Sequence, residues 1–167
     1  MQKKDLLVAN PYDEEQLKLI AAFEAENDLG NNLTAHLQKI SGCYSKEEYD
    51  QIVRGSNEVE QHLLLHEDGK IVDCCSINAY RDIKSCYLSL APSKKVSRSK
   101  KMLTLATEHA FSLGMLEVFA TINAYDRAMY EVLEIDGYEN LGEENGVTSF
   151  VKSFDLPKVL EGTNKKN

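Results

Sequence analysis

Residues 84–110, KSCYLSLAPSKKVSRSKKMLTLATEHA, change their hydrophobic period partway along, and few folds accommodate that change. Cys86, Leu88 and Leu90 alternate with Tyr87 and Ser89, the period of two expected for a strand with unlike faces. Pro92 has no amide proton to donate and ends the ladder. From Ser97 onward Leu103, Ala106, Ala110 and Leu113 recur at steps of three and four, so the spacing predicts a helix with one stripe packed on the sheet. The turn between them carries Lys94, Lys95, Arg98, Lys100 and Lys101. A helix start leaves unpaired N–H groups and a partial positive charge, which suits a phosphate-bearing ligand before any side chain contributes. A basic, solvated helix start has the same composition. The chain as a whole, however, carries a formal net charge of −8, and a local reversal of sign points to an anion site.

The same charge, with a pI near 5.0, argues against nucleic acid as a partner, since a duplex would meet a repulsive field outside this loop. At 167 residues and 43% hydrophobic content the chain has enough material for one core, expected over residues 1–156. A polar tail over 157–167 is expected to lack order. The opening MQKKDLLVAN lacks the apolar run of a signal peptide, and no stretch approaches the ~18 apolar residues that span a bilayer. A cytoplasmic protein with no membrane partner is expected. Cys43, Cys74, Cys75 and Cys86 form no C-x-x-C pair and are expected to be reduced and buried. His62 and His66 fall on one strand face roughly 13 Å apart by strand rise, and no metal site is expected.

In chain order, residues 4–8 read as a short strand, followed by a turn at Asn10, Pro11 and a helix with Leu17, Ile20, Ala21, Glu24 and Ala25 on one stripe. Residues 31–40 and 45–54 read as two short helices with a loop through Gly42 between them; Ser45 and Glu48 form a capping box for the second. Residues 59–66 and 70–79 make a hairpin around Glu67, Asp68 and Gly69, with the strand at 86–90 as its third arm. Gly114 caps the basic helix. A strand over 116–122 places Leu116, Val118, Ala120 and Ile122 on one face, and residues 124–135 read as a helix. Strands over 138–141 and 147–154 close the chain.

This order resembles the GNAT N-acetyltransferase superfamily. Leu88-Ser89-Leu90-Ala91-Pro92 is similar to that family's L-x-V-x-P fourth strand, and residues 102–142 are similar to its helix, its fifth strand ending in Asn, its A-x-x-x-Y and its closing G-[FY]. The match covers roughly residues 71–154. The fold it implies is α/β (α+β), a mixed and mostly antiparallel sheet flanked by helices. Two departures stand out. Where the family reads [RQ]-x-x-G-x-[GA], this chain has Lys95-Val96-Ser97-Arg98-Ser99-Lys100, with Arg98 and Lys100 in place of glycines that let phosphate reach backbone N–H groups. These cations either obstruct that approach or replace it with charge-assisted bonds. Glu134-Ile135-Asp136 also lengthens the Tyr-to-Gly spacing by about one helical turn.

The resemblance implies acetyl-CoA as co-substrate, held by Leu88, Ser89 and Leu90, by Lys95, Val96, Ser97, Arg98, Ser99, Lys100 and Lys101, and by Asn123 and Tyr130. It implies Tyr130 as the general acid that protonates the leaving thiolate after direct attack by an amine. On a helical wheel over 124–135, Ala124, Ala128, Val132 and Ile135 share a face and Tyr130 lies nearly opposite, outside the core. Asn123 doubles as a helix N-cap candidate. The resemblance implies a primary amine of a small molecule or peptide as acceptor, with specificity expected in residues 28–57, where Asp28, Glu47, Glu48 and Asp50 would suit a cation. The family also admits a homodimer. Two other readings remain open: a GNAT-fold binding or regulatory module whose basic loop takes another anion, and an RNA binder, which the global charge and the lack of interleaved aromatics disfavour.

Overall fold

A computed structural model describes residues 5–90 and 96–154. The elements run β1 (Leu6–Val8), α1 (Glu14–Glu26), α2 (Asn32–Cys43), α3 (Lys46–Gly55), β2 (Glu58–Glu67), β3 (Lys70–Tyr80), β4 (Ser85–Leu90), α4 (Val96–Ser112), β5 (Glu117–Asn123), α5 (Arg127–Ile135), β6 (Glu139–Glu144) and β7 (Val147–Ser153). All the strands join one sheet in the order β1-β2-β3-β4-β5-β7-β6. This is the mixed, mostly antiparallel α/β architecture that the sequence implies. Two tight hairpins drive the antiparallel part. Asp68 and Gly69 have φ of 51° and 80°, and Asn145 and Gly146 have 53° and 79°. Positive φ at both central residues is what a type I′ turn requires, and it matches the twist of the flanking strands.

Strand alternation then decides which residues meet which helices. Cys75, Ile77 and Ala79 of β3, Cys86 and Leu88 of β4, and Val118, Ala120 and Ile122 of β5 face α4 and α5 in one large core. Into it α4 sends Met102, Leu103, Ala106 and Ala110, at most 1% exposed. Burying a side chain the size of Leu or Met contributes about 1.5–3 kcal/mol, so this stripe anchors the helix. The opposite face carries a smaller cluster of Ile20, Phe23, Leu37, Leu64 and Ile71 beneath α1 and α2. No residue of α3 is buried.

The ends of these helices follow their chemistry. Ser45 Oγ accepts from Glu48 N at 3.1 Å and Glu48 Oε1 accepts from Ser45 N at 2.9 Å, completing the expected capping box. Gly114, at φ 91°, ends α4 as expected. Several expectations change. Ala25 of the expected α1 stripe is exposed, and Leu116 precedes β5 and is 37% exposed. α2 runs through Gly42 to Cys43, whose thiol is exposed. Leu113 lies beyond the end of α4 and is 41% exposed. The last helix begins at Arg127 with Asp126 as its N-cap, so neither Ala124 nor an Asn123 cap belongs to it. Its buried face is Met129, Val132 and Leu133, while Ala128 and Ile135 are exposed, which turns the stripe toward Tyr130. Cys75 and Cys86 are buried as expected and Cys74 is half-buried; burial pushes Cys74 and Cys86 up to about 12 and Cys75 higher still.

Candidate functional site

The sheet opens where it changes sense. Among the described residues β4 and β5 form its parallel pair, matched only from Ser85↔Glu117 to Leu88↔Ala120. β4 continues against β3 to Leu90↔Cys75, and β5 continues against β7 to Asn123↔Val147. The two outer ladders therefore run on while the central one stops. Ser89 and Leu90 on one side, and Thr121, Ile122 and Asn123 on the other, face each other as inner strand edges with no β4–β5 pairing. Such edges offer backbone N–H and C=O groups to an extended ligand that carries amides of its own. α4 begins six residues beyond Leu90, at Val96, so the helix end that carries free amides and the positive dipole end is the one that follows β4 in the chain.

One face of this opening belongs to the core under α4. On the other, Tyr87 is 47% exposed and stacks on Phe119, with ring centroids 5.3 Å apart and 22° between planes; Tyr80 meets Tyr87 edge-on at 5.9 Å. These rings are the outward positions of strands whose inward positions are buried. A search for apolar stripes passes over them, although outward aromatics on a period-two strand are themselves a signal. Along the same row, Glu60 pairs with Asn78, Asn78 with Tyr87, and Tyr87 with Phe119. The Oδ1 atom of Asn78 is buried and, among the described residues, has no hydrogen-bond partner. Beside this row α2, α3 and β2 enclose a cavity of about 580 Å³ whose lining includes Tyr49, Asp50, Glu58 and Glu60. Of the four acidic residues expected to meet a cation, Asp50 lines this cavity, and Glu48 is committed to its capping box.

The residues singled out from the sequence are dispersed around the opening. Leu88 is buried at the last β4–β5 pair, Ser89 is exposed and Leu90 half-buried beyond it. Lys94 and Lys95 lie outside the described residues. Val96, Ser97 and Arg98 have helical backbone in the first turn of α4; Ser99 is buried and Lys100 exposed. Lys101 points elsewhere. Its Nζ lies 2.9 Å from Asp5 Oδ2 and 3.0 Å from Glu67 Oε2, and these hydrogen bonds hold its pKa above the ordinary lysine range. That ammonium clamps α4 to the chain before β1 and to the end of β2. Asn123 ends β5, where its Oδ1 accepts from Tyr125 N at 2.9 Å and shapes the turn into α5.

Tyr130 is half-buried, edge-on to Phe150 at 5.4 Å and beneath the Arg127 guanidinium, 4.9 Å from the ring centroid. Its hydroxyl is hydrogen-bonded to Thr148 Oγ1. Thr148 pairs with Ile122, so the phenol reaches the sheet beside the part of β5 that has left β4. The expectation that Tyr130 stands apart from the core is thus corrected: the ring packs against it, and its hydroxyl alone meets a polar partner.

No family model and no curated protein matches the sequence. Solved structures do match. The ribosomal-protein-S5-alanine acetyltransferase from Vibrio fischeri is 12% identical, with 90% of this chain and 93% of that one covered at a TM-score of 0.65. The acetyltransferase that modifies the N-terminal serine of ribosomal protein L7/L12 in Salmonella typhimurium is 12% identical, with 93% and 98% covered at 0.64. A dodecameric spermidine N-acetyltransferase from Vibrio cholerae is 11% identical, with 90% and 94% covered at 0.60. At such identities the likeness speaks for architecture, and it extends over nearly the full described length. The chain has the fold of the GNAT N-acetyltransferases.

Proposed function

We propose that this protein transfers an acetyl group from acetyl-CoA to a primary amine by direct attack of the amine on the thioester. The observation that carries the reading is the central ladder that stops at Leu88↔Ala120 while its neighbours continue to Leu90 and Asn123. The residues present fit the co-substrate. The inner edges of β4 and β5 have backbone groups for an amide-bearing arm, and the first turn of α4, with Arg98 and Lys100 in its sequence, has amides and cations for phosphate. Lys101 is left out of that cradle because two carboxylates already hold it.

Acetyl-CoA supplies an acyl group already activated as a thioester, so the protein's work is alignment and proton handling. Tyr130 serves as general acid. If Thr148 donates its hydroxyl proton to the phenol oxygen, the phenolic proton stays free for the departing sulfur, and the same bond supports the phenolate left behind. The amine approaches as an ammonium across the Tyr87 and Phe119 face, where ring faces and the nearby carboxylates favour a cation, and it gives up a proton to solvent water before it attacks. Acetyl-CoA at a hundredfold excess over its dissociation constant should raise unfolding stability by ~2.7 kcal/mol, visible in a thermal melt. An unchanged melt at millimolar acetyl-CoA would overturn the proposal and favour a binding module of the same fold.

A further inference from the structure

A second constellation stands apart from the β4–β5 opening, at the mouth of the cavity under α2. His36 comes from α2, and Glu60 and His62 from β2. Glu60 and His62 are two residues apart on one strand and so share a face, the face on which Leu64 meets α1 and α2. α2 then brings His36 down over them. The ligand atoms of the three side chains all lie within 4.8 Å of one another. His62 Nε2 is 2.8 Å from Glu60 Oε1, His36 Nε2 is 3.7 Å from the same oxygen, and the two imidazole rings meet at 5.5 Å and 65°.

We propose that His36, Glu60 and His62 form a divalent transition-metal site of the zinc class, linking α2 to β2 with an open coordination position toward the cavity. Bonds of ~2.0–2.1 Å to nitrogen and oxygen in a tetrahedron place donors ~3.3 Å apart. The two imidazole–carboxylate separations, 2.8 and 3.7 Å, bracket that value, and with all three donors within 4.8 Å of one another a small side-chain rotation would close the set around one ion. Two imidazoles and one carboxylate are a borderline donor set that suits zinc, cobalt or nickel over the all-oxygen preference of calcium and magnesium. All three donor residues line the same cavity. The remaining position faces the cavity of about 580 Å³, which has room for water or a small ligand. His36 and Glu60 are half-exposed and His62 less so, which leaves an ion a path to enter. One strand, β3, lies between Glu60 and β4, which puts the donors roughly 10 Å from β4 at ordinary strand spacing, off the β4–β5 opening.

The full chain, freed of metal with a chelator, is titrated with Co²⁺ while its visible ligand-field absorption is followed, and with Zn²⁺ in a calorimeter. A single equivalent is expected to bind, with the intense bands of a low-coordinate cobalt ion that Zn²⁺ then displaces. His36→Ala and His62→Ala should each weaken binding by about a hundredfold, and Glu60→Gln should also weaken it. His66→Ala and Cys43→Ser should bind as the parent does. Far-UV circular dichroism of the metal-free variants checks that they fold; His36→Asp, which keeps a donor on α2, should recover part of the lost affinity. Absence of stoichiometric binding, a cobalt spectrum like that of the free aquo ion, or affinity lost in the His66 or Cys43 variants but kept in those at His36 and His62 would each overturn the site. The unaltered protein's spectrum decides the matter even if a variant fails to fold. No acetyl-CoA is present, so neither result depends on the transferase reading.

Discussion

The two faces of the sheet are covered to different degrees, and the difference separates what holds the protein together from what can meet a ligand. Against α4 and α5, residues of β2, β3, β4, β5 and β7 form a continuous core that includes Leu63, Leu88, Val118, Leu133 and Phe150, all at most 1% exposed. Against α1 and α2 the buried cluster is small, α3 adds nothing to it, and the rest of that face carries a cavity, exposed rings and charged side chains. Substitutions on the two faces should therefore part widely. Leu103→Ala, at a fully buried position of α4, should cost about 3 kcal/mol in denaturant unfolding. Ile52→Ala, 47% exposed on α3, should cost under about 0.5 kcal/mol. Equal losses would mean that the cavity face is packed as tightly as the core.

Tyr130 lies on the sealed side yet is proposed to act in chemistry at the opening, so its hydroxyl tests whether the division holds at the β5 edge. Phenylalanine retains the edge contact with Phe150 and the Arg127 contact and removes only the oxygen. Turnover should fall by about a hundredfold with acetyl-CoA binding unchanged. Thr148→Val removes the partner and should lower turnover by about tenfold through the same proton. Unaltered turnover in the phenylalanine variant would assign the hydroxyl a packing role alone.

On the other face the corresponding test is Glu24. Only 4% exposed, its carboxylate accepts from Leu33 N and Thr34 N at 2.9 Å each and from Thr34 Oγ1 at 2.6 Å. These are the orphan donors of the first turn of α2, whose own N-cap, Asn31, makes no side-chain cap bond. Glu24→Ala strands them in a buried site and should cost about 2 kcal/mol. Because α2 also carries His36, that variant should weaken metal binding as well. A stability loss with cobalt affinity intact would show that α2 keeps its seat without the cap.

How far the sequence discloses this architecture depends on whether a feature is local. Asp68-Gly69 marks its hairpin because only certain residues accept positive φ, and Ser45 with Glu48 marks a helix start because both ends of the capping box lie within one turn. The alternation of Cys86 and Leu88 likewise survives in the fold. The buried face of α5 is harder to read. Its position depends on where the helix begins, and taking Ala124 as helical shifts the predicted stripe by about a quarter turn. The point where β4 leaves β5 is a matter of register between segments about thirty residues apart, and no local pattern encodes it. Lys101 reads as one cation in a basic run until Asp5 and Glu67 are brought to it. His36 and His62 are equally silent in sequence: their spacing fits no ligand motif, and only the packing of α2 on β2 unites them.

The smallest expected effect concerns the one imidazole placed between α4 and the sheet. His109 is half-buried, its Nε2 2.8 Å from Gln61 Oε1 on β2, and burial holds its pKa below the ordinary 6.5. In the unfolded chain the same side chain titrates near that ordinary value. Above it both states carry a neutral ring, and folding is indifferent to pH at this residue. As pH falls through 6.5 the unfolded chain takes up a proton that the folded one resists, so the unfolded state is favoured and stability declines. His109→Gln removes the titration and keeps a polar side chain facing Gln61. Thermal melts of parent and variant between about pH 7.5 and pH 5.5 should therefore diverge, the parent losing more of its midpoint on acidification. Parallel curves would show that the ring is as free to protonate in the fold as out of it, and that solvent reaches the seam between α4 and β2.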